Sequence, residues 1–499
     1  MTEGTSIGNR EERGGDALFV AVLTLAALAL RLVRIGAESF WLDEAYSFQL
    51  ASADLPSIWS GAVGNRHTPP LYYAILHLWR VFGDGAASLR ALSALLGALA
   101  VPLLHRLGRE LLDRRAGRIA AAVAAFSPFL VYYGQEARGY TLLLALLLAA
   151  AIGLLRFIER GSVGAGALYA AAGTLALYTH YYAGFLLVGM NLFALIELRR
   201  RRIDLLRWIA LQGAIAVAYL PWMLNLVDAG TGSGQGFRRF LFSQIPYSFF
   251  RFAAGYGLLP LTPEAKEAMG AFVTRNLPLL VLYLGVFGAL LLRGSIRAAR
   301  RGRSFRFLIL LATVPYALAL VISFFTNLIS ERYLQVSFPF LALIAVQGGR
   351  GIRSVAGRVL PAAAAALLLF GLGAHYLNPR AGKTEWRAAA AAIAAGERAG
   401  DVVIVAPDYL LSPFLFAYEG NLPAEGIRES EAGDRAAVER AFDAAGGAGR
   451  CWLVISHARD PDAYRAPLAA WGTKISGAYF PKENGIHLEL YRAKGEDAP

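Results

Sequence analysis

The chain has a single cysteine, Cys451, among its 499 residues. That excludes a disulfide framework and a zinc site built from several thiolates. Charge is scarce. Asp, Glu, Lys and Arg make up 17 % of the chain, against about a quarter in an ordinary soluble domain. The scarcity does not signal disorder, because 12 % of residues are aromatic. No G-x-x-x-x-G-K-[ST] loop occurs, so a nucleotide-driven pump is not indicated. The run GTGSGQG at 230–236 misses the G-x-G-x-x-G spacing and reads as a flexible loop. Acidic residues number 36 against 49 Lys and Arg, a net charge of +13. Such an excess can mark a nucleic-acid binder. Here the arginines sit in short loops between apolar blocks, so the reading is membrane orientation and no nucleic-acid partner.

What the chain has in excess is apolar residues, 56 % of the total and arranged in long runs. Runs of about 16–22 residues suit single bilayer crossings. They lie at 17–35, 86–106, 116–133, 140–156, 163–179, 183–198, 206–226, 277–293, 306–325, 333–349 and 359–377, which predicts eleven spans. The first is too long for a signal-peptide core and is read as retained. Arginines cluster at 106–118, 199–207 and 293–306, with smaller groups at 156–160 and 350–358. These loops alternate, so one face of the membrane collects them, and the positive-inside rule makes that face cytoplasmic. The expected placement is a multi-pass protein of the inner (cytoplasmic) membrane. Residues 1–16 are then inside, and 36–85 and the tail are outside. Residues 69–82 are too short to cross. Leu71, Ile75, Leu78, Trp79 and Phe82 form a helical stripe there, read as an amphipathic helix on the outer surface.

From 378 to 499 the pattern becomes that of a soluble domain. Strands are predicted at 401–407, 451–457, 474–480 and 486–492, and helices at 384–399 and 434–445. The fold class is therefore a polytopic α-helical membrane protein with a C-terminal extracytoplasmic α/β domain. Its parts are 1–16, a transmembrane domain over 17–377 and the tail domain over 378–499.

Four stretches can carry chemistry. FWLDEAYS at 40–47 sets Asp43 beside Glu44 just after the first span. Paired carboxylates at a low-dielectric boundary have perturbed ionisation, and they also simply suit the first turn of a helix. YYGQEARGY at 132–140 holds Gln135, Glu136 and Arg138 in a very short outer loop. An arginine there either grips a lipid phosphate or snorkels to the interface. ERYLQVSFPF at 331–340 brings Arg332 to the outer start of a span, and THYYAGF at 179–185 brings His180 to an outer turn. A lone histidine is more often structural. The Asp460-Pro-Asp462 triplet imitates a metal-binding D-x-D but is read as a turn.

The order of these stretches resembles the GT-C membrane glycosyltransferases. It runs from one span to an Asp-Glu loop, a surface helix opening Pro-Pro-Leu-Tyr-Tyr, then Gln-Glu-Ala-Arg-x-Tyr, then Arg-Tyr-Leu. The similar branch holds the protein O-mannosyltransferases and the lipid A aminoarabinose transferases. The resemblance implies sugar transfer from a polyprenyl monophosphate carrier at the outer face. It implies that Asp43 is the base, with Glu44 in support, and that Arg138 contacts the donor phosphate. The candidate substrate-binding set is Arg138, Arg332, Glu136, Gln135, His67, Tyr72 and His180. The mannosyltransferases' Leu-Asp soon after that arginine is absent, the chain reading TLLLALL, so protein mannosylation in particular is not implied.

The residue inventory suits that chemistry. A polyprenyl phosphate leaves as a stable anion and needs positive charge, which Arg138 and Arg332 supply. The acceptor hydroxyl needs one base. One base without a covalent intermediate predicts inversion. No obligatory cofactor or metal is expected, although a divalent ion could sit at Asp43 and Glu44. Expected partners are the lipid-linked sugar, membrane lipids and a lipid, glycan or protein acceptor. The alternative is a transporter or flippase of lipid-linked glycans. No inverted repeat of the kind transporters show is visible.

Overall fold

The computed structural model describes residues 3–62, 68–200, 204–228, 242–325, 328–351, 355–444 and 449–494. The GTGSGQG run lies outside them. The chain forms two compact units. One comprises 1–35, 50–258 and 276–377, and the other comprises 36–49, 259–275 and 378–499.

The first unit is helical. Eight described helices are long and apolar enough to cross a membrane, and the bent pair Arg114–Phe126 and Pro128–Gly134 makes a ninth if it counts as one span. The bend of 54° has a local cause. Pro128 has no N–H to continue the helix, and the Ser127 side chain caps the new start by accepting from Leu130 N–H. Two of the eleven predicted blocks are shorter helices than a crossing needs. The block at 163–179 is Val163–Leu177. The block at 333–349 is broken into Glu331–Leu334, a 3-10 turn over Gln335–Ser337, and Phe338–Gly348 with Pro339 in its first turn.

Membrane helices gain little from hydrophobicity when they pair, so close packing of small residues holds them. Ala116, Ala120, Ala121, Ala124 and Ala125 of Arg114–Phe126 are all fully buried. Gly117 has no room for a Cβ against the His105 carbonyl, and Gly294 and Gly348 pack against the carbonyls of Ile344 and Leu290. Outward-facing positions such as Leu206, Val217, Val281, Leu292 and Phe370 are apolar and exposed, as a lipid-facing surface requires.

The surface helix forms as Leu71–Trp79 followed by a turn over Arg80–Phe82. Tyr72, Tyr73, Ala74 and Leu76 are buried, while Leu78 and Phe82 are 62 % and 69 % exposed. Exposed apolar side chains on one side of the helix are what an amphipathic surface helix presents.

The second unit carries a mixed five-stranded sheet in the order β2-β1-β3-β5-β4, built from β1 (Val402–Ala406), β2 (Ala424–Gly426), β3 (Arg450–Ile455), β4 (Gly472–Phe480) and β5 (Ile486–Ala493). β1 pairs in parallel with β2 and β3, while β5 is antiparallel to β3 and β4. Alternation along β1 serves two cores. Val402, Ile404 and Ala406 join Val438 and Leu468 on one face, and Val403 and Val405 join Trp386 and Ile393 on the other. Asp401 is clamped by Arg450 through Nε at 2.9 Å and Nη2 at 2.5 Å.

The Asp460-Pro-Asp462 triplet, read as a turn, starts the helix Pro461–Trp471. The Asp460 carboxylate accepts from the N–H groups of Asp462 and Ala463, a helix cap.

Segment 36–49 joins this unit through specific contacts. Phe40 stacks on Phe416 with centroids 4.0 Å apart. Ser39 Oγ accepts from the Arg387 N–H at 3.0 Å. From segment 259–275, Lys266 donates to Asn484 Oδ1 at 2.6 Å.

Candidate active site

In the first unit, three loops meet around a basin of aromatic rings. The first is the turn between Pro128–Gly134 and the helix Tyr140–Arg160. Gly139 lets it settle against Tyr72 and Thr179, because a Cβ there would lie 3.1 Å from Tyr72 and 3.2 Å from Thr179. Gln135 closes the end of the first span. Its amide donates to the carbonyls of Arg31 at 3.1 Å and Val33 at 2.8 Å, and its Oε1 pairs with His375 Nε2 at 2.7 Å. Those carbonyls would otherwise be helix-end orphans. Glu136 is fully buried, and its carbonyl accepts from the Arg138 N–H.

Arg138 donates from Nη1 to the Tyr73 hydroxyl at 3.2 Å and lies 5.7 Å from the centroid of the Tyr140 ring. Its own carbonyl accepts from Ser93 Oγ at 3.2 Å, and that hydroxyl pairs with the Tyr72 hydroxyl at 2.9 Å. Tyr72 thus supports the loop from behind, and its neighbour Tyr73 is the residue that meets the guanidinium.

The second loop carries His180. Its ring centroid lies 5.0 Å from that of Tyr333, 5.6 Å from Tyr182 and 6.2 Å from Tyr140. Nδ1 accepts from the Tyr182 N–H, which leaves a proton on Nε2 in the neutral ring. Burial pushes the imidazole down to about 3, and the charges of Arg138 and Arg332 push the same way. Both guanidiniums therefore act on one neutral histidine.

The third loop supplies Glu331, Arg332 and Tyr333. Arg332 lies 5.8 Å from the Tyr333 ring centroid, and its carbonyl accepts from Gln335 Nε2. Glu331 Oε1 accepts from the Tyr256 hydroxyl at 2.8 Å, and Tyr256 pairs with the Tyr133 hydroxyl at 2.7 Å. Burial first, then Tyr133 and Glu331, holds the Tyr256 phenol far above its ordinary range, so it stays a donor. Arg251 is buried beneath, 5.0 Å from the Tyr256 ring centroid, and donates to the Tyr247 hydroxyl at 2.8 Å.

The structure thus brings Arg138, Arg332 and His180 together. Glu136 sits inside the first loop, Gln135 serves the helix end, and Tyr72 is a support. His67 lies outside the described residues. Sequence reasoning missed Tyr73, Tyr133, Arg251, Tyr256 and Glu331. Arg251 had one signal, a lone arginine set among the aromatic residues of the helix Gln244–Ala254.

The paired acids belong to the second unit. Both lie in the first turn of the helix Leu42–Ala51 and point to different sides. Glu44 is fully buried and accepts from Lys383 Nζ at 2.8 Å, with Lys383 itself only 5 % exposed. Asp43 is half-buried, and its carbonyl accepts from Ser47 Oγ. Among the described residues, no group of three or more His, Cys, Asp and Glu side chains is placed to hold a metal ion.

Residues 66–224, about a third of the chain, match a family model described as dolichyl-phosphate-mannose-protein mannosyltransferase. That stretch contains Tyr72, Arg138 and His180 but not Asp43. No curated protein matches the chain by sequence. Among solved structures, apo ArnT from Cupriavidus metallidurans superposes with a TM-score of 0.58 at 15 % identity, covering 96 % of this chain and 98 % of that one. The same enzyme bound to undecaprenyl phosphate gives 0.56 at 16 % identity, over 97 % and 99 %. The oligosaccharyltransferase AglB from Archaeoglobus fulgidus, in complex with an inhibitory peptide and a dolichol-phosphate, gives 0.51 at 12 % identity, over 98 % and 75 %. The resemblance read from the Asp-Glu and Gln-Glu-Ala-Arg stretches holds at the level of architecture: the chain has the fold of the GT-C membrane glycosyltransferases, and within it residues 66–224 carry the sequence pattern of the dolichyl-phosphate-mannose-protein mannosyltransferases.

Proposed function

We propose that this chain transfers a hexose or pentose from a polyprenyl-phosphate carrier to an acceptor hydroxyl at the outer face of the cytoplasmic membrane, with inversion at the sugar carbon. The observation that carries the reading is the convergence of Arg138 and Arg332 on the neutral His180 in a tyrosine-lined basin. Two guanidiniums among aromatic rings suit a phosphate whose negative charge grows as the sugar leaves. The tyrosines offer neutral hydroxyl donors and ring faces, the usual furniture of a sugar site. Support comes from ArnT, whose structure with undecaprenyl phosphate shares this fold.

In the proposed step the acceptor oxygen attacks the anomeric carbon. The bond from that carbon to the phosphate oxygen breaks, and the phosphate departs with the electron pair. Asp43 takes the acceptor proton. Of the two acids it is the more exposed, since Glu44 is buried against Lys383 and so suits the supporting part. No metal is required by this scheme. The arginine-rich loops are cytoplasmic and residues 378–499 extracytoplasmic, by the positive-inside rule.

The test is release of undecaprenyl phosphate from undecaprenyl-phosphate sugars by the purified chain in lipid nanodiscs. Arg138→Ala should lower turnover roughly ten- to a hundredfold, the weight of one charge-assisted contact. Arg138→Lys should recover part of it, lacking the planar fork. Turnover independent of Arg138 would overturn the donor-site assignment.

A further inference from the structure

At the arginine-rich end of the first unit, helices line a half-open cavity of about 1070 Å³ whose role the proposed reaction does not explain. Its body is apolar, lined by side chains such as Val123, Phe249, Leu284, Phe287 and Leu341. Its other end is lined by Arg115, Arg297, Arg301, Arg350 and Arg358. From Leu284 to Arg297 along one helix is about 20 Å at 1.5 Å per residue, two thirds of a bilayer's hydrocarbon core of roughly 30 Å. The cavity is thus long, greasy at one end and cationic at the other.

The cationic end is not neutralised from within. Asp113 accepts from Arg350 Nη2 at 2.6 Å and lies 3.9 Å from Arg301. Among the described residues, no acid pairs with Arg115, Arg297 or Arg358. The Arg297 Nε is buried without a hydrogen-bond partner among them. Its guanidinium rests on Gly351, where an added Cβ would lie 2.6 Å from Nη2, so the glycine admits the arginine to that position. A buried guanidinium nitrogen without an acceptor is costly and calls for an anion.

We infer that this cavity holds an anionic phospholipid of the leaflet on the arginine side. Its chains lie between Phe249, Phe287 and Leu341, and its phosphate is gripped by Arg297 with Arg115 and Arg358. The arginines here are distinct from Arg138 and Arg332. Membrane phospholipid is the occupant favoured by charge complementarity with the leaflet beside those loops. A polyprenyl phosphate would share the headgroup chemistry, and the experiment separates the two.

The experiment is native mass spectrometry of the full chain released from nanodiscs containing phosphatidylethanolamine, phosphatidylglycerol and undecaprenyl phosphate in known ratio. The expected result is retention of phosphatidylglycerol above its share of the mixture. Each basic residue near an anionic headgroup contributes about fivefold in binding. Arg297→Ala with Arg358→Ala should therefore lower phosphatidylglycerol retention roughly twentyfold or more, and Arg297→Lys with Arg358→Lys should keep most of it. Undecaprenyl phosphate bound through Arg138 should be unaffected by either pair. Equal retention of phosphatidylethanolamine and phosphatidylglycerol by the unaltered chain would overturn the inference, independently of how any variant folds. So would displacement of phosphatidylglycerol by undecaprenyl phosphate in a manner lost on Arg297→Ala with Arg358→Ala, which would make the cavity a carrier site.

Discussion

Glu44 and Lys383 are 339 residues apart in sequence, yet they form a deeply buried ion pair of the second unit, Nζ to Oε2 at 2.8 Å. Glu44 is fully buried and Lys383 is 5 % exposed, so neither charge can recover water if its partner is removed. Removing one member of such a pair typically costs about 3–5 kcal/mol, most of it from the charge left behind. Replacing both with apolar or neutral groups of similar size is commonly near neutral. Glu44→Gln and Lys383→Met should each destabilise the unit by about that amount, and the double variant should cost clearly less than either. Urea unfolding in nanodiscs, read by pulse proteolysis of the 378–499 region, measures the three values. The same three proteins, assayed for sugar transfer, separate two roles for Glu44. If it acts only by holding its helix, the double variant regains transfer along with stability. If it touches substrate, stability returns and transfer does not. Single costs below about 1 kcal/mol, or costs that merely add, would refute the claim that the pair holds segment 36–49 in place.

Asp43→Asn keeps shape and removes basicity. It should lower transfer by about 10²–10⁴-fold with donor binding intact, and near-parental turnover in the purified assay would remove Asp43 as the base. His180, with its imidazole pushed down to about 3 from an ordinary 6.5, is neutral throughout the physiological range. Between those values only the unfolded chain holds the proton, so stability should fall as pH is lowered through that window. His180→Gln should flatten this slope in thermal midpoints taken from pH 4 to 7, and an unchanged slope would place its origin elsewhere. The orientation is checked with single cysteines in a Cys451→Ser background and a membrane-impermeant thiol reagent. A cysteine at 430 should label from outside and one at 201 should not, and the reverse would invert the topology.

How legible the molecule is in its sequence depends on which solvent surrounds each part. In the tail, water is the solvent, and the short apolar runs in DVVIVAP and CWLVISH and the alternation in IHLELYR located β1, β3 and β5 to within a residue or two. What failed there was local: Asp460-Pro-Asp462 reads equally well as a turn and as a cap followed by Pro461, and the helix after it contains Pro467. Within the membrane the same logic loses its footing. Lipid and core are alike apolar, so periodicity reveals that a helix exists without saying which side is buried. Hence Leu78 and Phe82 face out, and the tyrosine side, Tyr72 and Tyr73, faces in to reach Ser93 and Arg138. Charge, in contrast, keeps its meaning in both solvents. Arg138 and Arg332 were visible as candidates because a guanidinium at the end of an apolar block must be accounted for, and the fold brings them to one histidine. The residues between them were invisible for the opposite reason. Tyr133, Tyr256 and Glu331 are linked by hydrogen bonds across 75 to 123 residues of sequence, and a tyrosine at the end of a span reads as an ordinary interfacial aromatic. The same rule predicts where further function is legible in this chain. It is at arginines whose neutralising partner the fold does not supply, and Arg297 is such a residue.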